Sequence, residues 1–304
     1  MESIGIHWFR RDLRVAGNMA LKKNFSRTQG RTLGLFCFDK SFLSRPDMSF
    51  NRFQFFLKTI EALRSELRQL GGDLIVLDDA PEKAFQCVTR WIDSNPKYQL
   101  DLVSFNRDYE PFARQRDARM KEWFDQKGIE VGTARDHLLI EPWEIFKTPG
   151  NFSDSYQVYT PFSKKWRQAF VGKSVQERLR SQQLGIEYLE RLEQGTTNSN
   201  IFKLTWDNVY DQASQEDQLE FYIKENAKKV TIPIPEAGSL PAFRQLKNFR
   251  QRLDHYGDRR DIPSQQGTSR FSVFFKNGSL TVPQVIYFFN LKNYDKPKTG
   301  AEKF

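Results

Sequence analysis

Short apolar runs alternate with amphipathic stretches over the first half of the chain, and this alternation restricts the fold more than any other feature. The runs are Ile4–Phe9, Thr32–Asp39, Asp73–Asp78, Asp101–Phe105 and Ile129–Thr133. Runs that are apolar on both sides of the chain suit strands covered on both faces, as in a parallel sheet. The clearest helix separates the second and third runs, from Phe50 to Leu70. Its Phe53, Phe56, Leu57, Ile60, Leu63, Leu67 and Leu70 recur at three-to-four spacing, and Gly71-Gly72 ends it. Pro81 opens another helix, and Gly128 closes the one carrying Met120, Trp123 and Phe124. Strands alternating with helices predict a doubly wound α/β domain with a five-stranded parallel sheet over residues 1–146.

The pattern then changes. Residues 147–239 hold a turn cluster at Thr148-Pro149-Gly150-Asn151, a polar loop from Gly195 to Asn200, and Pro233 and Pro235. They read as a connector with some helix and little sheet. A helical period returns over 240–304 in Phe243, Leu246, Phe249, Leu253 and Tyr256. The net charge of +9 is concentrated there: residues 241–304 hold 12 Lys+Arg against 5 Asp+Glu, while 147–240 hold 12 of each. Such a segment is either a solvated face or a surface for a polyanion such as nucleic acid.

Several chemistries have no foothold. No apolar run reaches the ~18 residues of a membrane span, the start lacks the layout of a signal peptide, and Cys37 and Cys87 form no framework. A cytoplasmic location is expected. His7, His137 and His255 lie far apart without ligand spacing, so no metal is expected. There is no Gly-x-Gly-x-x-Gly, P-loop or Gly-x-Ser-x-Gly. In an open parallel sheet, ligands bind beyond the carboxyl ends of the strands. Arg10-Arg11-Asp12-Leu13-Arg14, Asp39 and Asn106-Arg107-Asp108-Tyr109-Glu110 all occupy such ends. The charged loops are either a binding site or internal ion pairs. Gly267-Thr268-Ser269-Arg270-Phe271-Ser272 is either a plain helix cap or a grip for a phosphate.

Three motifs, in order, resemble the DNA photolyase and cryptochrome family. They are His7-Trp8-Phe9-Arg10-Arg11-Asp12-Leu13-Arg14 with Asn18, then Val158-Tyr159-Thr160-Pro161-Phe162 with Trp166. The third is Tyr256 through Arg260 with Asp261, Pro263 and Gly267 to Ser272. The resemblance covers nearly the whole chain and implies an antenna domain followed by the start of an all-α FAD-binding domain. It implies that Tyr256, Thr268, Ser269, Arg270, Phe271 and Ser272 hold FAD and that Arg260 contacts DNA. It also implies an antenna pocket from Phe36, Cys37, Phe38, Asp39, Met48, Arg52, Phe56, Asp108, Glu110 and Arg116. Phe112-Ala113 stands where folate-binding members have Asn-Glu, so the second chromophore is expected to be a deazaflavin or flavin. Asn277 departs from the aromatic residue usual at its position.

The implied activity is that of a cyclobutane-dimer photolyase: light-driven, FAD-dependent repair of pyrimidine dimers in DNA, by a protein that is monomeric at full length. The alternatives are a cryptochrome-like photosensor and a stand-alone pigment- or nucleotide-binding module. The family places its lesion pocket, its electron-relay tryptophans and most of its FAD cavity after the position of Phe304, so the catalytic residues are expected beyond this sequence. Residues 240–304 are accordingly expected to be an incomplete domain, inactive alone, with 273–289 unable to hold a native arrangement.

Overall fold

The computed structural model describes residues 1–44, 46, 48–147, 155–292 and 304. The turn cluster expected at 148–151 lies outside them. Strands β1 (Glu2–Phe9), β2 (Thr32–Cys37), β3 (Leu74–Leu77), β4 (Tyr98–Asn106) and β5 (Glu130–Ala134) form one parallel sheet in the order β3-β2-β1-β4-β5. Helices α1 (Met19–Arg27), α2 (Phe50–Gln69), α3 (Pro81–Asp93) and α4 (Pro111–Gln126) connect them. Ile4, Ile6, Trp8, Leu33 and Leu35 point to one face, where Phe85 and Val88 of α3 and Met120 and Phe124 of α4 cover them. Phe9, Phe36 and Val76 point to the other, beneath Leu21 of α1 and Phe53, Leu57 and Ile60 of α2. The stripe read for Phe50–Leu70 closes the second face and α3 and α4 close the first, so the doubly wound α/β fold is the observed one.

Residues 155–239 contain α5 (Tyr159–Phe170), α6 (Lys173–Ser181), α7 (Gln183–Glu193), α8 (Trp206–Val209) and α9 (Leu219–Ala227). Much of this stretch is built into the α/β layer. Phe202 N donates to the Leu70 carbonyl (2.9 Å), Lys203 N to that of Gly30 (2.9 Å), and the buried Trp206 indole to that of Gly34 (2.7 Å). On the outer edge of β3, Val76 N donates to Asp217 Oδ2 (2.8 Å) and the Val76 carbonyl accepts from Gln218 N (3.0 Å). An exposed edge strand offers unpaired backbone groups to other chains; here the chain's own later segment occupies them.

The last elements are α10 (Ser239–Arg250), α11 (Tyr256–Arg259), α12 (Ser272–Asn277) and α13 (Val282–Phe289). Phe271, Phe274, Leu280 and Val285 are buried with Phe243, Leu246 and Phe249 of α10 and with Phe55 of α2. Phe275, Phe288 and Phe289 are half-buried against the same cluster. This corrects the expectation that 273–289 would hold no arrangement of its own. The α12–α13 segment docks on the α/β domain itself: Leu13 N donates to the Asn277 carbonyl (3.1 Å) and Gln284 Nε2 to that of Ala16 (3.2 Å).

Candidate functional site

Strand order reverses between β1 and β4, and the loops after them meet at the carboxyl edge of the sheet. The Arg-Arg-Asp-Leu-Arg run is consumed there by ion pairs. Arg10 bonds Asp117 and the Asn106 carbonyl, and its guanidinium lies 4.9 Å from the Trp8 ring centroid and 4.6 Å from that of Phe105. Burial and the neighbouring Arg116 lower its pKa, while Asp117 and Asp12 oppose that shift. Asp12 Oδ2 accepts from Asn106 Nδ2 (2.6 Å) and Asn18 Nδ2 (3.2 Å) and lies 3.2 Å from His7 Nε2. Burial pushes the Asp12 carboxyl up, but His7 and the Arg10 backbone N–H outweigh it, so it titrates below the usual range. Arg14 is buried, paired with Asp136 through two bonds. Of the two readings open for this loop, internal ion pairing accounts for Arg10, Asp12 and Arg14. Arg11 differs: its half-exposed side chain faces Glu110 (2.5 Å) and Asp108 (4.0 Å).

The residues proposed for an antenna pocket fall into separate groups. Phe36 meets Phe56 at 5.6 Å between ring centroids, with Met48 in the same cluster. Phe38 stacks on Phe53 at 5.5 Å and is 1 % exposed, a core residue. Asp39 accepts from Ser41 N (2.9 Å), and Arg52 lies exposed in the first turn of α2. Cys37 turns to the opposite face, against the Trp8 cluster, and burial pushes its thiol up. Arg116 is on that face as well, 5.1 Å from the Trp8 ring and paired with Asp117 at 2.8 Å. Asp108 and Glu110 stand with Arg11 at the β4 end.

Beside them lies a cluster that sequence reasoning missed. Glu141 accepts from Arg107 Nε (2.7 Å), Tyr109 Oη (2.7 Å) and Arg135 Nε (3.1 Å). Burial opposes its charge, but Arg107 and Tyr109 hold the carboxyl below its ordinary value. The Tyr109 ring lies 5.3 Å from that of His137 and 5.7 Å from that of Trp143. The available signal was the position of Arg107 and Tyr109 at a strand end.

The Thr268–Ser272 loop is the other candidate. Gly267 is buried, and a Cβ there would lie 2.2 Å from the Arg259 carbonyl oxygen, so only glycine fits. Gln245 Nε2 donates to the Ser269 carbonyl (2.9 Å) and Arg252 Nη1 to that of Gln266 (2.8 Å). Arg270 adopts φ 55°, a left-handed conformation uncommon outside glycine and asparagine. Phe271 is buried under Phe249, while Thr268, Arg270 and Ser272 are exposed. Tyr256 joins the same cluster, its ring 6.1 Å from that of Phe249 and 5.6 Å from the Arg260 guanidinium. A fixed loop presenting hydroxyls and a guanidinium, with no carboxylate of its own, fits a phosphate group.

The family model for DNA photolyase matches residues 5–181. The chain belongs to the DNA photolyase and cryptochrome family. A deoxyribodipyrimidine photo-lyase of Halobacterium salinarum is 29% identical over 290 residues, covering 92% of this chain and 53% of that protein. An archaeal photolyase structure from Sulfolobus tokodaii, solved with two FAD molecules, shares the fold at TM-score 0.61 and 21% identity. That match covers 94% of this chain and 54% of the other. A Synechocystis sp. PCC6803 cryptochrome structure does so at TM-score 0.65 and 15% identity, covering 95% and 55%. The chain thus spans about half the length of the curated photo-lyases it matches. Among the described residues no helix is long and apolar enough to cross a membrane, and no His, Cys, Asp and Glu cluster could hold a metal.

Proposed function

We propose that this chain is chromophore-bearing and serves a flavin-dependent photolyase activity on cyclobutane pyrimidine dimers in DNA. The observation that carries this reading is the loop from Gly267 to Ser272, a fixed backbone with exposed hydroxyl and guanidinium donors beside Tyr256. Thr268, Arg270 and Ser272 would hold the diphosphate of FAD, with Ser269 and Phe271 fixing the loop between them. When bound, the flavin supplies light-driven electron transfer. The carboxyl edge of the sheet would take the antenna pigment, a deazaflavin or flavin, with Arg11, Asp108 and Glu110 on one side and Phe36, Met48 and Phe56 on the other. The exposed Arg260 would face DNA. Units 1–146, 147–239 and 240–304 remain the proposed division.

The test is calorimetric titration with ADP and FAD. ADP should retain most of the affinity of FAD, because on this reading the donors would meet the diphosphate. Hydrogen bonds to charged groups contribute about 1.5–3 kcal/mol, so Arg270→Ala should weaken ADP about ten- to a hundredfold. Wild-type protein that binds neither ligand would overturn the reading. A blue-light repair assay on dimer-containing DNA, with reduced FAD supplied, then separates repair from a photosensor role.

A further inference from the structure

Helix α12 ends in a buried polar clasp that ties it to two separate parts of the α/β domain. The Asn277 carbonyl accepts from Leu13 N (3.1 Å), and the Gly278 carbonyl accepts from Arg14 Nη1 (3.0 Å). Both ends of the Asn277 side-chain amide are hydrogen-bonded as well. Its Nδ2 donates to Thr59 Oγ1 of α2 (2.7 Å), and its Oδ1 accepts from Ser279 N (3.0 Å) and Ser279 Oγ (2.7 Å). The Thr59 hydroxyl spends its own proton on the Phe55 carbonyl (2.8 Å), which leaves its lone pairs to Asn277. Gly278 follows at φ 77°, and a Cβ there would stand 1.9 Å from the Arg11 carbonyl oxygen. At the other end of α12, Phe271 packs under Phe249, and Phe274 meets Phe55 at 5.8 Å between ring centroids. The short helix is therefore fixed at both ends, and the Thr268–Ser272 loop is its immediate N-terminal extension.

We propose that Asn277 is a positioning residue that sets where Thr268–Ser272 stand relative to the α/β domain, an inference resting on the phosphate-grip reading above. Apolar packing alone tolerates sliding, whereas two directional bonds through one asparagine, to Thr59 and from Leu13, fix the register of α12 against α2 and the β1–α1 loop, and the two from Ser279 hold the side chain in that orientation. That loop carries Arg11, which faces Asp108 and Glu110, so the clasp also fixes the separation of the two proposed chromophore sites.

The experiment uses ADP as probe on the full chain, with Asn277→Ala, Thr59→Val, Thr59→Ser and, as a stability control, Val285→Ala in the neighbouring cluster. Thr59→Val keeps the shape of the side chain and removes the acceptor for Asn277 together with the hydroxyl's own bond to the Phe55 carbonyl within α2, and Thr59→Ser keeps both. Loosening a supporting contact of a binding site commonly costs about tenfold in affinity, so Asn277→Ala and Thr59→Val should each weaken ADP about tenfold. Both should speed amide exchange across 268–275, and Thr59→Ser should restore wild-type behaviour. Val285→Ala should lower the melting temperature with ADP affinity unchanged. Wild-type ADP affinity and exchange in Asn277→Ala, or an equal affinity loss in Val285→Ala, would overturn the proposal. Should wild-type protein bind no ADP, the flavin reading falls, and the exchange of 268–275 in Asn277→Ala alone decides for or against the clasp.

Discussion

Glu66 should make this protein less stable as pH rises through neutrality. Its carboxyl is buried at the junction of α2, α7 and α10, accepting from Tyr188 Oη (2.8 Å) with Ser239 close by. Burial pushes its pKa up from 4.5 to about 7, the hydrogen bonds opposing the shift only in part. A carboxyl whose pKa is raised on folding binds its proton more tightly in the native state. The resulting stabilisation is fully present below the unfolded value of 4.5 and is lost as pH climbs through about 7. With each unit equivalent to about 1.4 kcal/mol, the difference between the two values corresponds to a loss of about 3 kcal/mol by pH 8. That is a large share of the ~5–15 kcal/mol typical of a domain.

Glu66→Gln keeps a carbonyl for Tyr188 and removes the titration. Urea denaturation of both proteins from pH 4.5 to 8.5 isolates the effect, because other titrating groups cancel in the difference. The variant should gain on the wild type steadily with pH, reaching about 3 kcal/mol at pH 8. A flat difference curve, or a wild type that gains on Glu66→Gln as pH rises, would refute the reasoning.

Trp206→Ala should cost about 3–5 kcal/mol in urea denaturation, because it removes a buried ring from the sheet face and the bond to the Gly34 carbonyl. A loss below 1 kcal/mol would mean that residues 202–209 only rest on the sheet. Asp136→Asn should be similarly severe, about 3–5 kcal/mol, since it leaves the buried Arg14 guanidinium without its carboxylate. Retained stability across pH 6–8 would count against it. Non-specific DNA binding should be salt-dependent, and Arg260→Ala should reduce the slope of log K against log salt by about 0.7–0.9. An unchanged slope would remove Arg260 from the DNA contact.

The sheet and its helices were legible in the sequence because buried parallel strands and a long amphipathic helix each leave a periodic signature. The role of residues 202–218 was not. Phe202, Leu204 and Trp206 alternate with polar residues at a spacing of two, the mark of an extended chain with one buried side. That signal was short and surrounded by turn residues. Asp217 and Gln218 close the β3 edge with backbone-directed bonds that carry no periodicity at all. Charge counting also overstated the basic face after residue 240, because Lys247 pairs with Glu193 of α7 (2.6 Å) and Arg244 lies 3.7 Å from the same carboxylate.

Asn277 shows why the remaining part was hidden. By sequence it was an anomaly, a polar residue where an aromatic one is usual, and nothing local marks its distant partners. Thr59 lies 218 positions away, and Leu13 and Ser279 complete the set. A buried amide costs free energy unless its donor and acceptor are paired, so its presence requires a partner on a distant element. The same logic applies to Glu66 and Arg14, which also sit buried on bonds to residues far along the chain. Glu66 reaches α7 through Tyr188, while Arg14, through the Gly278 carbonyl, and Asn277 both tie the end of α12 to the α/β domain. For this chain, buried polar side chains add direction to the apolar contacts that seat the elements after residue 146 on the α/β domain.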